Sequence, residues 1–178
     1  MADPLGSIEK QLKDPRRSTP PPLHEWDPPL SGDIDIVIRA DGEWLHEGSP
    51  FKRMAIVDLF CSILRREADG HHYLVTPVEK WRIRVEAHAL QVIDISREEP
   101  GGVLVATCNH GPDIAIGEEH PLCPSDDSDV PWLVCNNGLS AGLARNVWYR
   151  LVDAAEERDG TLVVLSGNWE YALGESRS

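Results

Sequence analysis

Two of the three Asp-Gly pairs, Asp69-Gly70 and Asp159-Gly160, constrain this chain more than any other feature of its sequence. Glycine adopts left-handed backbone conformations at low cost, so each pair is a strong signal for a tight turn. A short run typical of a buried strand follows each pair, Tyr73-Leu74-Val75 in one case and Leu162-Val163-Val164-Leu165 in the other. Both regions are therefore predicted to turn sharply out of a helix and into a strand.

The similarity between the two regions extends beyond the turns. The pairs lie 90 positions apart, and at the same offset Val57 corresponds to Val147. An amphipathic helical run precedes each pair, over residues 51–67 and 139–158, with a strand, a turn and a strand before it. This repeated order predicts an α+β fold of two similar β-rich halves, each with antiparallel strands packed on one main helix.

Composition suggests where the halves begin and end. Residues 1–22 are rich in proline and finish with Pro20-Pro21-Pro22, which favours an extended backbone, so we expect a flexible arm. The N-terminal α+β half is predicted over residues 23–86 and the C-terminal half over residues 87–178.

The charge balance limits the partners of the protein. The 178 residues include 30 acidic and 17 basic ones, which gives a formal net charge of −13. Nucleic acids and anionic membranes are bound by basic surfaces, so we expect neither as a partner. No run approaches the roughly 20 apolar residues of a membrane span, and the N-terminus lacks the pattern of a signal peptide. The resulting expectation is a cytoplasmic protein.

Residue types used in catalysis are present, but their spacing matches no catalytic or metal motif. The seven histidines and four cysteines form neither H-x-x-x-H nor C-x-x-C, and no serine lies in a nucleophile elbow. The densest group of candidate ligands, which we interpret as a polar turn, is His110, Asp113, His120 and Cys123. We expect free buried thiols, no metal, no cofactor and no catalytic residue, which favours a binding protein over an enzyme.

Five basic residues form the most informative polar set. They lie near predicted helix starts and along one predicted strand, at Arg53, Lys80, Arg82, Arg84 and Arg145. Helix N-termini and guanidinium groups both favour anions, so these side chains are candidates for a phosphate or carboxylate pocket. The alternative, and the commoner role, is ion pairing with the acidic residues of the chain.

Several strings of residues recur in a known protein family. They are Gly32-Asp33-Ile34-Asp35-Ile36, His46-Glu47-Gly48-Ser49-Pro50, Leu74-Val75-Thr76-Pro77-Val78-Glu79-Lys80 and Arg145-x-Val147-x-Tyr149-x-Leu151-Val152. Over about residues 21–174 the sequence resembles the bacterial family of unknown function called DUF1285.

The resemblance implies a duplicated α+β core whose C-terminal part is superficially similar to pleckstrin-homology folds. It also implies a role in signal transduction and a site for a nucleotide-like molecule between the two halves. The matched polar positions are His46, Arg53, Thr76, Glu79, Lys80 and Arg145. We therefore predict a ligand-sensing or regulatory module that binds a small anionic molecule. The alternative is a protein-interaction scaffold without such a ligand, which the Pro-rich arm, the acidic composition and six tryptophans favour.

Overall fold

The computed structural model describes residues 3–12, 20–128 and 130–176, which form an α+β structure of two similar halves, as predicted. The chain divides into two compact units, Met1–Ala87 and His88–Ser178. Among the described residues, none of the three α-helices has both the length and the apolar character that crossing a bilayer requires.

The first unit is built on one six-stranded sheet. Its helices are α1 (Pro4–Leu12) and α2 (Met54–Cys61), and its strands are β1 (Leu30–Ile38), β2 (Trp44–His46), β3 (Ser49–Pro50), β4 (Leu64–Arg66), β5 (His72–Val75) and β6 (Lys80–Val85). The strand order is β3-β2-β1-β6-β5-β4. The strands are antiparallel to their neighbours, as predicted, except for β1 and β6 at the centre of the sheet, which are parallel.

Alternation along β1 gives this sheet a buried face and a charged face. On the charged face Asp33 accepts two hydrogen bonds from Arg82 of β6, at 2.8 and 2.9 Å. Asp35 accepts one hydrogen bond from Arg84, at 3.3 Å. These two arginines of the cationic set therefore form surface ion pairs. The opposite face of β1 contributes to the core through Ile34, Ile36 and Ile38.

The main helix of the first unit is shorter than the predicted run over residues 51–67. It ends at Cys61, and the Ser62 hydroxyl donates to the Leu59 carbonyl at 2.6 Å. Residues Leu64–Arg66 form β4 and pair with β5, joined to it by the turn at Asp69-Gly70. Pairing with a neighbouring strand outweighs the helical periodicity here, because apolar residues at this spacing fit either structure.

The predicted flexible arm does not hold for residues 4–12, which form α1. Ile8 is fully buried and Leu12 nearly so, because these two residues lie one turn apart on one face of the helix and find a partner surface. Residues 1–2 and 13–19 of the predicted arm lie outside the described residues.

The described residues of the second unit form two sheets and one α-helix. The helix is α3 (Arg145–Ala154), and the strands are β7 (Leu90–Glu98), β8 (Val103–Cys108), β9 (Ile114–Ala115), β10 (Leu122–Cys123), β11 (Trp132–Val134), β12 (Ser140–Leu143), β13 (Glu156–Arg158), β14 (Thr161–Ser166) and β15 (Trp169–Glu175). One sheet has the order β10-β11-β12-β7-β8-β9, with β12 and β7 parallel, and the other is β13-β14-β15.

The predicted helix over residues 139–158 is also too long at both ends. Ser140–Leu143 is strand β12, which lies between β11 and β7. Glu156–Arg158 is strand β13, which pairs with β14 through a turn in which Asp159 (φ 51°) and Gly160 (φ 79°) are both left-handed. Two left-handed residues form the hairpin turn that matches the twist of the flanking strands, so the chain leaves the helix early.

The internal similarity is clearest after each main helix. In both units three antiparallel strands follow in order, β4-β5-β6 in the first and β13-β14-β15 in the second. The 90-residue offset superimposes β5 on residues 162–165, inside β14. The units differ because β6 continues the first sheet by pairing with β1, whereas β13-β14-β15 is a separate sheet.

The fold generates a prediction about acid stability through His72. Nε2 of this side chain is buried without a hydrogen-bond partner among the described residues. Burial, together with the charge of Arg66, lowers the pKa of His72 from 6.5 to about 4. Between these two pH values His72 is protonated in the unfolded chain but not in the folded chain. The free energy of unfolding therefore falls as the pH drops from 6.5 towards 4. We expect His72→Gln to make this decrease in the free energy of unfolding smaller by about 1–2 kcal/mol.

Urea denaturation at pH 7.5 and pH 4.5 measures the effect. His24→Gln, at an exposed histidine, is the matched control and should retain the wild-type difference between the two pH values. Equal pH dependence in wild type and His72→Gln would contradict the prediction.

Candidate functional site

Thr76, one of the six predicted ligand-binding residues, closes the turn between β5 and β6. It is fully buried, and its Oγ1 accepts hydrogen bonds from the backbone N–H groups of Glu79 (3.0 Å) and Val78 (3.4 Å). Its own N–H donates to the Glu79 carbonyl at 2.9 Å. Side-chain bonding of this kind is a typical way for threonine to hold a turn. The Thr76 hydroxyl therefore positions Glu79 and Lys80.

Lys80 lies in a network of partly buried charges. Its Nζ donates to both carboxylate oxygens of Glu67, at 3.1 and 3.2 Å, and lies 5.0 Å from the centre of the Tyr73 ring. Arg65 donates to the same carboxylate at 2.6 Å, and its other Nη donates to two backbone carbonyls at 2.8 Å, those of Leu23 and Trp26. The network thus links β4 and β6 to residues 23–26.

The carboxylate of Glu67 is the centre of this network. Burial alone would raise its pKa, but the hydrogen bonds and charges of Arg65 and Lys80 outweigh that effect and lower the pKa. The Lys80 and Glu67 side chains keep only 14% and 22% of their surface exposed. Lys80 therefore forms a partly buried ion pair with Glu67.

Two more of the predicted residues are in contact with α1. The Glu79 carboxylate accepts a hydrogen bond from Gln11 at 2.9 Å and from Ser7 at 3.2 Å. Arg53, which precedes α2, donates to Glu9 at 3.1 Å. These contacts fasten α1 to the first unit at two points.

The remaining two residues lie apart from these contacts. His46, in β2, packs its ring against Phe51 with the ring centres 5.9 Å apart. Arg145 is the exposed first residue of α3 in the second unit, and no ion pair of its side chain is recorded among the described residues. A role in ligand binding stays a prediction for all six residues.

A cleft in the second unit offers a different site. It has a volume of about 200 Å³ and lies between β7 and α3. Helix α3 lines it with positions one helical turn apart, where Val147 and Leu151 are buried and Arg150 and Ala154 are exposed. The rest of its apolar floor is formed by the buried side chains of Ile95, Leu104 and Val164.

Two exposed arginines form the rim of this cleft. Arg150 donates to the Asp94 carboxylate at 2.5 Å and to the Ile95 carbonyl at 2.9 Å. Arg97 donates through Nη1 to the carbonyls of Gly102 (2.7 Å) and Leu165 (3.1 Å). The Arg150 hydrogen bond lowers the pKa of Asp94, so this carboxylate stays charged. Backbone carbonyls and one carboxylate thus hold two positive groups beside an apolar surface.

No described group of three or more histidine, cysteine, aspartate or glutamate side chains comes together as a metal site, and His110, Asp113, His120 and Cys123 do not converge. The four cysteines are free thiols, with Cys108 and Cys135 buried. Burial raises the pKa of Cys61 and of Cys123, which disfavours the thiolate that a nucleophilic cysteine needs.

The sequence prediction of the site missed the two rim arginines. A signal for Arg150 was present, since it lies three residues after Val147 and beside Leu151, on the apolar face of its helix. A long cation on such a face points to the edge of a core. Arg97 gave no comparable signal, because its position over the cleft depends on which strand lies beside α3.

The sequence matches two family models. Residues 21–88 match the model described as "Domain of unknown function (DUF1285), N-terminal domain". Residues 87–173 match the model described as "Protein of unknown function (DUF1285), C-terminal domain". A search of curated proteins finds no match.

Two crystal structures are similar to this chain. A DUF1285 family protein from Silicibacter pomeroyi DSS-3 is 35% identical, with a TM-score of 0.88, over 98% of this chain and 97% of that one. A DUF1285 family protein from Shewanella baltica OS155 is 28% identical, with a TM-score of 0.55, over 69% of this chain and 94% of that one.

The charge network predicts a large stability effect at Glu67. We expect Glu67→Gln to lower the free energy of unfolding by about 2 kcal/mol, because Arg65 and Lys80 both lose a charged acceptor in a partly buried position. Urea denaturation followed by circular dichroism measures the change. Glu43→Gln, which breaks the exposed Arg39 pair at 3.4 Å, is the control and should change stability by less than about 0.5 kcal/mol. Equal losses in the two variants would show that burial adds nothing to the Glu67 network.

Proposed function

This chain belongs to the DUF1285 family, and we propose that it is a regulatory module that binds a small anionic molecule and carries out no catalysis. The observation that carries the proposal is the cleft between β7 and α3, where Arg97 and Arg150 stand beside an apolar floor. In a chain with a net charge of −13, Arg97, which is held by two backbone carbonyls, and Arg150, which is paired with Asp94, favour an anionic ligand at this cleft.

The chemistry of the cleft suggests what the ligand contains. Its apolar floor suits a flat or aliphatic group, and the guanidinium groups suit a carboxylate or phosphate attached to that group. A volume of about 200 Å³ is below the range of sites for drug-sized molecules, so the ligand is small. A small aromatic or aliphatic phosphate or carboxylate fits this class whole, whereas a nucleotide-like molecule would enter the cleft with only part of its structure.

The lining of the cleft supports binding rather than reaction. Among its described lining residues, Ser96 carries the sole hydroxyl, and no histidine, cysteine or carboxylate lines the cleft to serve as a general base. Guanidinium groups keep their protons at neutral pH and act on a ligand by charge and hydrogen bonding.

The proposal moves the ligand contact on α3 from Arg145 to Arg150. Five residues at 3.6 per turn put these two side chains roughly 140° apart around the helix, so they face different surroundings. Arg145 is therefore a matched control: it has the same charge and the same helix, but another face.

A second function, protein binding, is favoured by a different part of the molecule. Helix α1 covers a surface of the first unit and leaves two large apolar side chains exposed beside its attachment points, Met54 and Val78.

Thermal unfolding with adenosine monophosphate, phenyl phosphate and benzoate tests the proposed function. A ligand at 100 times its dissociation constant adds about 2.7 kcal/mol to the folded state, which raises Tm by roughly 5–10 °C for a chain of this length. Arg97→Ala and Arg150→Ala should weaken the binding at least about ten-fold, since each removes a charged hydrogen-bond donor. Each variant is compared with its own Tm without ligand, because Arg97 also binds two backbone carbonyls.

Arg145→Ala and Arg158→Ala are the controls and should bind like wild type. Arg158 forms ion pairs with Glu156 and Glu170 on the exposed strands β13 and β15. Absence of any shift with all three probes would contradict an anion-binding function. A ligand-induced increase in Tm that persists in Arg150→Ala but disappears in Arg145→Ala or Lys80→Ala would place the site at the residues predicted from the sequence instead.

A further inference from the structure

Helix α1 is held in place by contacts with the rest of the first unit. It has nine residues, fewer than the roughly 12–15 that an isolated helix needs to be even marginally stable in water. Two of its side chains, Ile8 and Leu12, are buried, and they lie one turn apart on the same face. The helix is therefore a bound segment whose conformation depends on the surface beneath it.

Polar contacts fix the position of this segment at both sides. Ser7 and Gln11, again one turn apart, donate to the carboxylate of Glu79 in the turn before β6. Glu9 accepts from Arg53, which precedes α2. We call the surface formed by the start of α2 and the turn over residues 76–79 the helix groove. It presents one carboxylate and one guanidinium group, which together recognise a helix with the complementary groups.

The helix groove is only partly covered by α1. Met54, next to Arg53 in the sequence, is 57% exposed, and Val78, next to Glu79, is 67% exposed. Large apolar side chains next to both polar attachment points would gain from a longer or bulkier helix, because burial of apolar surface is favourable. Such a helix would make the contacts of α1 and add further apolar ones.

We propose that the helix groove is a docking site for an amphipathic helix of a partner protein, and that α1 occupies it as an internal substitute. The partner helix carries an aliphatic pair four residues apart, hydroxyl or amide donors that face Glu79, and an acidic residue that faces Arg53. Displacement of α1 by this helix makes partner binding a competition between two segments for one groove.

A peptide of residues 3–12 of this chain tests the proposal on the full-length protein. The wild-type groove should not bind the peptide, since a tethered α1 acts at an effective concentration of about a millimolar. Full-length Ile8→Asp, in which α1 cannot bury its aspartate, should leave the groove open. Titration by nuclear magnetic resonance should then shift the amides of Arg53, Met54, Val78 and Glu79 in this variant.

Further variants distinguish specific docking of the peptide from nonspecific binding. Adding Glu79→Ala to Ile8→Asp should weaken peptide binding about ten-fold, because the acceptor for Ser7 and Gln11 is lost. Adding Glu43→Ala, at an exposed position paired with Arg39, should leave binding unchanged. A peptide that itself carries Ile8→Asp should not bind. Failure of the normal peptide to bind a folded Ile8→Asp protein would overturn the proposal.

Hydrogen exchange of the wild-type protein decides the case in which Ile8→Asp does not fold. Exchange of the α1 amides well before those of α2 supports a displaceable helix. Exchange of α1 only with global unfolding would overturn the proposal, since α1 would then be an integral part of the core. A wild-type dimer that Ile8→Asp converts to a monomer would also overturn it, because the occupant of the groove would be α1 of a second copy. These outcomes do not depend on Arg97 or Arg150, so the anion-binding function stands or fails separately.

Discussion

One parallel strand pair at the centre of each six-stranded sheet determines much of what surrounds it. Parallel neighbours cannot be joined by a tight turn, so the chain must travel through several other elements before the second strand is laid down. In the first unit β6 pairs with β1 over most of its length. In the second unit β12 pairs with only Leu90, Gln91 and Val92 of the nine-residue β7. The rest of that edge of β7 is left to face α3, and the cleft lies there.

Charge is distributed in a way that follows from the acidic composition. Many of the basic side chains are held by carboxylates, as Arg82 is by Asp33 on the surface and Lys80 is by Glu67 in a partly buried position. Arg97 differs in that both of its hydrogen bonds go to backbone carbonyls. Arg150 combines an ion pair with Asp94 and a hydrogen bond to the Ile95 carbonyl. A carbonyl positions a guanidinium group without neutralising it, so Arg97 keeps its positive charge at the rim of the cleft.

The two proposed binding sites lie in different units and depend on different interactions. The cleft of the second unit combines a small apolar floor with fixed cations, which selects a ligand by charge and size. The helix groove of the first unit is occupied by α1. The buried face and the polar contacts of α1 indicate the chemistry of a helix that could replace it. Together the two proposals describe a regulatory module with one site for a small molecule and another for a helix.

The sequence by itself determined the α+β class, the two similar halves and the two Asp-Gly turns, because strand periodicity and left-handed turn residues act over a few positions. It did not determine the helix ends. The residues of Leu64–Arg66 and Ser140–Leu143 are compatible with a helix, and they form strands because each pairs with a neighbouring strand. Only the tertiary structure showed that Lys80 forms an ion pair with Glu67 and that Ile8 is buried. These outcomes rest on contacts between residues far apart in the chain, as does the meeting of Arg97 and Arg150 at one cleft, and local pattern does not encode such contacts.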